Sequence, residues 1–495
     1  MTVPAEPFQE LVDHARDTRV VVIGGGIAGL VAAWECAKVG MAVTLVEASD
    51  RLGGTIGSAR IAGLDLETGV TCWSTRGGTV RALVEEVLPD AAIVRPRDDR
   101  EWIAGLPKGA AAPLPVEQVL GIPANPWDES VRRIIGWDGT WRAYIDRLRP
   151  PLTIGTQRSL GRLVHGRMGD KVLDRLVAPL TIDRFGLDPV DVDVEIAAPG
   201  LSNALTRTGW LGGAVADVRV DAPGSSIEGL GGGMPQLTAA LADRLAEREV
   251  SIHTGTLAAT LTRSGEGWTI ALGSPTPLDA YDEAPRELLA DAVVVATDEA
   301  SARSLFASAL GAPAFAHVPP AGIAREVVTL VVDAPELDKA PRGAHVHAVP
   351  GTSRATGLVH ETARWEWLAQ EAGAGRHVLR VAFGAPGIAP ATEGLSDADA
   401  AVMAAAEASV LLGVELDEGR IAGARRDAYT LVPPASTLGR RDRTDAARAA
   451  IARAPGLAAV GAWLSGSGLA QVVADAQEEA DRLRHEALWG AAAAE

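Results

Sequence analysis

Cysteine is scarce in this chain of 495 residues, which contains only Cys36 and Cys72. Two cysteines cannot build a disulfide framework, and their spacing fits no metal-binding motif. This usage is typical of a reducing compartment, so we expect a cytoplasmic protein. An apolar run of about 18 residues, the length that a spanning helix needs, is also missing. We therefore expect no membrane-spanning segment, although peripheral contact with a membrane stays open.

Positive charge is in the minority, with 46 lysines and arginines against 64 aspartates and glutamates and a formal net charge of −18. This balance argues against a nucleic-acid partner. An anionic substrate would have to be held by local arginine or histidine residues. Hydrolase motifs such as Gly-x-Ser-x-Gly and His-Glu-x-x-His are absent as well. The sequence therefore shows neither of these two catalytic constellations.

A glycine-rich turn near the start of the chain is the strongest motif. Residues 20–23 form an apolar, β-branched run that predicts a buried parallel strand. Residues 27–39 are compatible with a helix, and residues 42–46 predict a second strand. Between the first strand and the helix stands Gly24-x-Gly26-x-x-Gly29. Strand, glycines, helix and strand in this order predict a dinucleotide-binding βαβ unit.

Each position of this motif has a physical role. Gly24 permits the tight turn, Gly26 lets the backbone approach a pyrophosphate, and Gly29 lets the helix sit close to the strand. The helix N-terminus offers free N–H groups to the phosphates. The acid that ends the second strand can accept hydrogen bonds from an adenosine ribose. The predicted contacts in this unit are Gly24, Gly26, Ile27, Ala28, Gly29 and Glu47.

The next stretch, Arg51-Leu52-Gly53-Gly54, resembles the second signature of the flavin-dependent amine-oxidase and porphyrinogen-oxidase superfamily. This resemblance implies FAD rather than NAD as the cofactor. It further implies that Arg51 reaches the ribose or a phosphate and that the Gly-Gly backbone passes the pyrophosphate. Thr55 stands where the family usually has a basic residue. Without the neighbouring motif, the same four residues would be an ordinary solvated turn.

Later segments resemble the bacterial branch of the protoporphyrinogen/coproporphyrinogen III oxidase family within that superfamily. They are Glu67-Thr68-Gly69, Gly232-Gly233-Met234, the strand 291–297 and the Gly-x-Gly turn at 466–468 before a last helix. The resemblance implies that the last helix points its N-terminus at the flavin. The FAD contacts that it implies outside the βαβ unit are Arg51, Gly53, Gly54, Thr55, Ala258, Thr297, Trp463, Gly468 and Leu469.

The predicted fold class is α/β, a Rossmann-like FAD-binding domain with an inserted helical domain and a mixed-sheet substrate domain. The chain would leave the FAD-binding domain twice and return to it twice. The predicted division is an N-terminal tail at 1–18, FAD-binding parts at 19–90, 221–310 and 431–495, a mainly helical substrate-covering domain at 91–220, and a mixed-sheet substrate domain at 311–430.

The family resemblance implies a six-electron oxidation of a porphyrinogen by FAD, with molecular oxygen reduced to hydrogen peroxide. It also implies no catalytic side chain, because the flavin is the oxidant. Coproporphyrinogen III is the favoured substrate, and a ferrochelatase is a partner for product handover. Arg76 matches a basic position that faces the substrate carboxylates. Three alternatives stay open: oxidation of protoporphyrinogen IX, a flavin amine oxidase or desaturase, and a non-catalytic tetrapyrrole-binding flavoprotein.

Two features depart from the expected pattern or compete with it. Asp183-Arg184-Phe185 stands where the family typically has Gly-Val-Tyr, which could alter the substrate pocket. His345 and His347 share one face of a predicted strand, because side chains alternate along strands. No third ligand lies at a useful spacing from this pair, so we predict no metal site.

Overall fold

The computed structural model describes residues 7–149, 158–219, 226–265, 267–273, 286–316 and 322–489, with side chains from residue 12 onward. The segment 273–287, whose proline, aspartate and glutamate content predicts a surface loop, lies mostly outside the described residues. The α-helices of the described residues are α1 (Pro7–Asp17), α2 (Ile27–Ala37), α3 (Thr79–Val87), α4 (Glu129–Tyr144), α5 (Leu160–Met168), α6 (Asp170–Val172), α7 (Ala178–Phe185), α8 (Val194–Ala197), α9 (Leu201–Thr208), α10 (Leu211–Val218), α11 (Pro235–Glu247), α12 (Glu299–Leu310), α13 (Pro313–Ala316), α14 (Glu361–Arg364), α15 (Glu366–Ala372), α16 (Asp397–Leu412), α17 (Arg440–Ala452), α18 (Ala462–Ser465) and α19 (Leu469–Trp489).

The strands are short and belong to several sheets. They are β1 (Arg19–Ile23), β2 (Ala42–Val46), β3 (Ile56–Ile61), β4 (Leu64–Gly69), β5 (Trp73–Ser74), β6 (Ile93–Val94), β7 (Glu101–Leu106), β8 (Ala110–Pro113), β9 (Gln118–Val119), β10 (Ile122–Pro123), β11 (Ile227–Leu230), β12 (Ser251–His253), β13 (Leu257–Ser264), β14 (Gly267–Gly273), β15 (Arg286–Ala290), β16 (Ala292–Val295), β17 (Ile323–Asp333), β18 (His345–Ala348), β19 (Ala355–His360), β20 (Arg376–Phe383), β21 (Ile421–Leu431) and β22 (Leu457–Ala459).

A five-stranded parallel sheet forms the first layer of the fold, in the order β12-β2-β1-β16-β22. Its central strands are buried on both faces, as their continuous apolar sequence predicts. One face packs against α2, α11 and α19. The other packs against α12, α17 and a small antiparallel sheet of β13, β14 and β15. This is the α/β doubly wound arrangement expected of a Rossmann-like domain.

A seven-stranded mixed sheet forms the second large layer, in the order β21-β17-β20-β19-β18-β7-β8. Alternate residues on one face form an apolar core with α16. Two of these strands, β7 and β8, come from residues that the sequence analysis assigned to the helical domain. The prediction was wrong there because β7 pairs in parallel with β18, more than two hundred residues along the chain, a contact that no local pattern reveals.

Helices α4 to α10 surround a separate apolar core, which is the inserted helical region. Helix α4 begins at Glu129, and a short 3₁₀ turn follows its end at Tyr144. Inside this region Asp146 is fully buried. Its carboxylate accepts hydrogen bonds from Arg167 Nη1 at 3.1 Å and from the backbone N–H of Leu211 at 2.6 Å. One carboxylate therefore joins three separate segments of the insertion.

The N-terminal segment is not an extended tail. Residues 7–17 form helix α1, in which Ala15 is buried. The ring of His14 lies 3.0 Å from the carbonyl oxygen of Ala487, near the end of α19. This contact with the last helix corrects the predicted tail at 1–18 for the described residues. A terminal segment is ordered when it docks on the rest of the protein.

Replacement of Asp146 by alanine should destabilise the protein strongly. The change leaves Arg167 buried without its counter-charge, and a broken buried pair costs about 3–5 kcal/mol of unfolding free energy. Urea denaturation would measure the loss. Asp138→Ala is the matched control, because Asp138 pairs with Lys171 at the surface and its removal should have a much smaller effect. Equal losses in the two variants would contradict the role given to Asp146.

Candidate active site

The first glycine turn is held together by close backbone contacts. Gly24 has φ +110°, and a methyl group added there would come within 2.5 Å of the carbonyl oxygen of Ala296. A methyl group at Gly29 would come within 1.9 Å of the carbonyl oxygen of Gly24. Strand β1, helix α2 and the end of β16 can therefore meet this closely only without side chains at these two positions.

Gly26 differs from these two because it faces open space. Its backbone angles, φ −70° and ψ 175°, suit any residue. A methyl group there would meet only the Cα of Gly54, at 3.9 Å. Gly26 and Gly53 form a parallel bridge, and the N–H of Gly53 donates to the carbonyl of Gly25 at 2.9 Å. Two glycine signatures thus combine into one bare backbone cradle at the N-terminus of α2, which fits a pyrophosphate.

Glu47 lies beside this cradle, at the end of β2. One carboxylate oxygen accepts from the N–H of Gly25 at 2.6 Å, and the other accepts from the N–H and hydroxyl of Ser49 at 2.8 and 2.7 Å. The same residue joins the next strand, since its N–H donates to the carbonyl of His253 at 2.8 Å. Both carboxylate oxygens of Glu47 are therefore held in place beside the cradle by N–H and hydroxyl donors.

Arg51 and Ala258 lie near the cradle in arrangements that the sequence did not reveal. The Arg51 guanidinium folds over its own turn, with Nη2 donating to the carbonyl of Gly54 at 3.0 Å. Thr55, next in this turn, is exposed. The segment that leads to Ala258 forms two strands, β12 and β13, which belong to different sheets. Ala258 is half-buried near the start of β13.

The C-terminal residues of the predicted site surround the ends of β16 and β22. Thr297 follows β16, and a methyl group at Gly461 would be 3.8 Å from its carbonyl oxygen. Gly468 is exposed directly before Leu469, the first residue of α19. Trp463 is 1% exposed, its ring lies under the Arg303 guanidinium, and its carbonyl accepts from Arg440 at 2.7 Å. Its indole packs in the core rather than lining an open surface.

The mixed sheet presents a polar face on the side away from α16. Thr329, Arg380 and Arg425 lie in register on adjacent strands of this face. Arg380 Nη2 donates to the carbonyl of Gly69 at 3.0 Å, and Nη1 lies 3.6 Å from Glu361. These arginines were not among the predicted site residues, although their period-two alternation with apolar residues indicates one polar face of a strand.

Glu67 joins two segments that the family resemblance singled out. Its carboxyl oxygen accepts from the N–H of Met234 at 2.6 Å. Burial, with a further contribution from Glu361, raises the pKa of Glu67 to about 8, against the lowering effect of that N–H, Arg380 and Arg364. The group is therefore largely protonated at neutral pH, and it adds little negative charge to this face.

A buried ionic cluster lies where helix α7 meets the polar face at strand β18. Asp183 Oδ2 lies 2.8 Å from His345 Nε2 and 2.8 Å from His347 Nδ1, and its other oxygen accepts from Arg325 at 2.7 Å. His347 Nε2 lies 3.2 Å from Glu101, which also pairs with Arg184. We call these residues the Asp183 cluster: Glu101, Asp183, Arg184, Arg325, His345 and His347.

This cluster changes the basis of the metal prediction. Glu101, His345 and His347 bring three potential ligand atoms within 4.8 Å of one another. No spacing rule predicts Glu101 as a third potential ligand, because it is 246 positions from His347 in the sequence. However, both carboxylates of the cluster already pair with arginines, Glu101 with Arg184 and Asp183 with Arg325. A divalent cation would therefore add charge to a site that is already neutralised.

Arg76, the predicted substrate residue, lies in the exposed turn between β5 and α3. Its N–H faces the Ser74 hydroxyl at 3.3 Å, while its guanidinium has no partner among the described residues. The hydroxyl of Thr79 lies 3.4 Å from the carbonyl of Ala470, close to the start of α19. Arg76 is thus near the helix end that the resemblance places at the flavin, with its charge free.

The comparison with known proteins settles the family. Residues 27–483 match the flavin containing amine oxidoreductases. The chain belongs to this family. It is therefore a member of a family of FAD-dependent oxidoreductases, and the predicted family, fold class and FAD cofactor are confirmed. None of the described helices combines the length and the apolar character needed to cross a membrane.

Individual relatives match only parts of the chain. A coproporphyrinogen III oxidase of Propionibacterium freudenreichii is 26% identical over 187 residues, covering 38% of this chain and 35% of the relative. One of Bacillus subtilis is 30% identical over 167 residues, covering 32% and 35%. A candidate protoporphyrinogen oxidase structure from Exiguobacterium sp. 255-15 has TM-score 0.78 at 23% identity, covering 95% of this chain and 99% of that one. At this identity the structure establishes the fold alone.

Gly26→Val should give a folded protein that does not retain FAD. The branched side chain would occupy the cradle, whereas the backbone angles and surroundings of Gly26 tolerate it. The flavin absorbance of purified protein and its circular dichroism would report the two properties separately. Gly273→Val is the control, since a methyl group there meets nothing within 4 Å. Full flavin occupancy in Gly26→Val would remove this residue from the site.

Proposed function

We propose that the protein oxidises coproporphyrinogen III to coproporphyrin III, with molecular oxygen as the final electron acceptor. The observation that carries the proposal is the similarity to coproporphyrinogen III oxidases of several bacterial genera at 26–30% identity. FAD, when bound, supplies the acceptor for hydride equivalents. A cytoplasmic location and delivery of the product to a ferrochelatase belong to the same proposal.

The charges around the site support an anionic substrate. The chain as a whole carries a net charge of −18, which repels a tetracarboxylate at long range. The free guanidinium of Arg76 supplies positive charge in the exposed turn before α3, whereas Arg380 and Arg425 of the polar sheet face are paired with Glu361 and Asp427. Glu67, which would otherwise oppose them, is held largely neutral by burial. These features favour a carboxylate-bearing substrate over an amine cation.

Anaerobic mixing of the flavin-loaded protein with coproporphyrinogen III tests the proposal directly. We expect the flavin absorbance to bleach while porphyrin fluorescence appears, and admission of oxygen should restore the flavin and produce peroxide. Protoporphyrinogen IX is the competing substrate in the same assay. A flavin that stays oxidised with both compounds would overturn the proposal.

Arg76→Ala should weaken substrate binding while the flavin spectrum stays intact. A charge-assisted contact with a carboxylate contributes about 1.5–3 kcal/mol, so KM for coproporphyrinogen III should rise roughly tenfold to hundredfold. The rise should be smaller for protoporphyrinogen IX, which has fewer carboxylates. Arg60→Ala is the control, because Arg60 is an exposed hairpin residue paired with Asp65. Similar kinetics in both variants would return Arg76 to the solvated surface.

A further inference from the structure

The Asp183 cluster contains a histidine with one ring nitrogen held and the other free. His345 Nε2 lies 2.8 Å from Asp183 Oδ2. Its Nδ1 has no hydrogen-bond partner among the described residues, and it is not one of the buried polar atoms left without a partner. The side chain is 20% exposed. Nδ1 is therefore open to the space beside the cluster.

The partners of Asp183 determine which nitrogen of His345 carries the proton. Arg325 and two imidazole nitrogens surround the Asp183 carboxylate. Burial raises the pKa of Asp183, but the hydrogen bonds and charges of His345 and His347 hold it well below the usual range. An ionised carboxylate can only accept hydrogen bonds. His345 Nε2 must therefore donate, and the lone pair of the neutral ring stands on Nδ1.

His347 has the opposite role in the cluster. Its two nitrogens face two carboxylates, Asp183 at 2.8 Å and Glu101 at 3.2 Å, so both nitrogens must donate. Burial opposes this charge, but the hydrogen bonds to Asp183 and Glu101 raise the pKa of His347. Burial and the charge of His347 lower the pKa of His345, against the pull of Asp183 and Glu101. One imidazole is thus held charged and its neighbour is held neutral.

A charge count favours a proton over a metal ion between His347 and Glu101. The two carboxylates are matched by Arg184 and Arg325, and protonated His347 adds one positive charge. A divalent ion in place of that proton would raise the buried charge further, at a high desolvation cost. The cluster is therefore complete with a proton, and among the described residues His345 Nδ1 is its ring nitrogen without a hydrogen-bond partner.

The register of the mixed sheet places His345 on the same face as the residues near the cradle. His345, Val359 and Arg380 are directly opposite one another on β18, β19 and β20. Strands lie about 4.8 Å apart, so the Cα atoms of His345 and Arg380 are separated by roughly 10 Å. Arg380 contacts Gly69, which packs on Thr55 in the second glycine turn. A flat substrate lying along this face could span that distance.

We propose that His345, oriented by Asp183, accepts the proton released when the substrate is oxidised. This inference rests on the proposed function. In each two-electron step a C–H bond of a bridging methylene breaks, and its electron pair would leave as hydride to FAD when that is bound. One proton leaves in the same step and goes to His345 Nδ1, while the electron pair of the broken bond enters the new conjugated double bonds. Over three steps these protons come from two pyrrole N–H bonds and from a C–H bond of the fourth methylene. Asp183 stabilises the imidazolium that forms.

His345→Gln separates the proposed role from a structural one. The glutamine amide can still donate to Asp183, but it offers no basic nitrogen. General-base catalysis contributes about 10²–10⁴-fold, so kcat should fall by about 100-fold or more, with KM changed by less than about threefold and flavin content retained. His165→Gln is the control, because His165 is an exposed residue of α5 paired with Asp170. Equal kcat values in the two variants would overturn the proposal.

The pH profile of kcat adds a second test. A base must be neutral, so activity should fall as the pH drops through the pKa of His345, which lies below its usual value of about 6.5. Burial, His347 on β18, Asp183 on α7 and Glu101 on β7 set this pKa. The other charged groups on the surrounding elements are Arg184 on α7, Arg325 on β17 and Arg380 on β20. The acidic limb should be absent in His345→Gln. A limb that persists unchanged would assign the titration to another group.

Carbethoxylation with diethyl pyrocarbonate tests the tautomer without reference to activity. The reagent attacks neutral, accessible imidazole nitrogens, so mass spectrometry should find His345 modified much faster than His347. Reversed or equal rates would overturn the assignment, as would one equivalent of transition metal in purified protein that is lost in Glu101→Gln. If the unmodified protein fails to oxidise any porphyrinogen, the proposed function is wrong. The labelling result still decides which of His345 and His347 is neutral.

Discussion

The contact between two glycine turns governs the geometry of this protein. Gly26 and Gly53 pair through their backbones, and a methyl group at Gly54 would come within 3.1 Å of Gly26 Cα. Because neither turn has a side chain at the contact, the backbone N–H groups at the start of α2 remain open. Strand β1 places this opening at the carboxyl end of the parallel strands. Strands β3 and β4 carry the chain from the second turn to Gly69. The cradle and the polar sheet face are thus coupled through a few residues.

The mixed sheet has one apolar face and one polar face. Val328, Leu330 and the other residues of the α16 side form an apolar core, while the alternate positions present Thr329, Arg380 and His345. A sheet with one buried apolar face can carry charges on the other, because the apolar packing alone specifies its register. The charges are nevertheless paired, as Arg380 is with Glu361. Pairing keeps the desolvation cost of this face low, and it leaves the few open groups as the sites for chemistry.

Local patterns were enough to predict the first glycine turn and the βαβ unit around it from sequence. The glycines, the apolar strands and Glu47 act within about thirty residues, and period and spacing carry that information. The pairing of β7 with β18 and the contact of Glu101 with His347 could not be predicted, because they join segments more than two hundred residues apart. The Arg51 guanidinium donates to a carbonyl of its own turn. Whether such a side chain binds a local carbonyl or a ligand depends on its geometry, which the sequence motif does not specify.

The departure at Asp183 is a property of several residues rather than of one. A methyl group at Gly357 would come within 2.5 Å of the Asp183 carboxylate, so an aspartate fits here only above a glycine. The same carboxylate needs Arg325 and two histidines to offset its burial. An aspartate placed alone on this helix would remain unpaired and costly. The cluster therefore works as a unit, and any change of substrate or mechanism that it brings depends on the open nitrogen of His345 rather than on the loss of the Gly-Val-Tyr sequence itself.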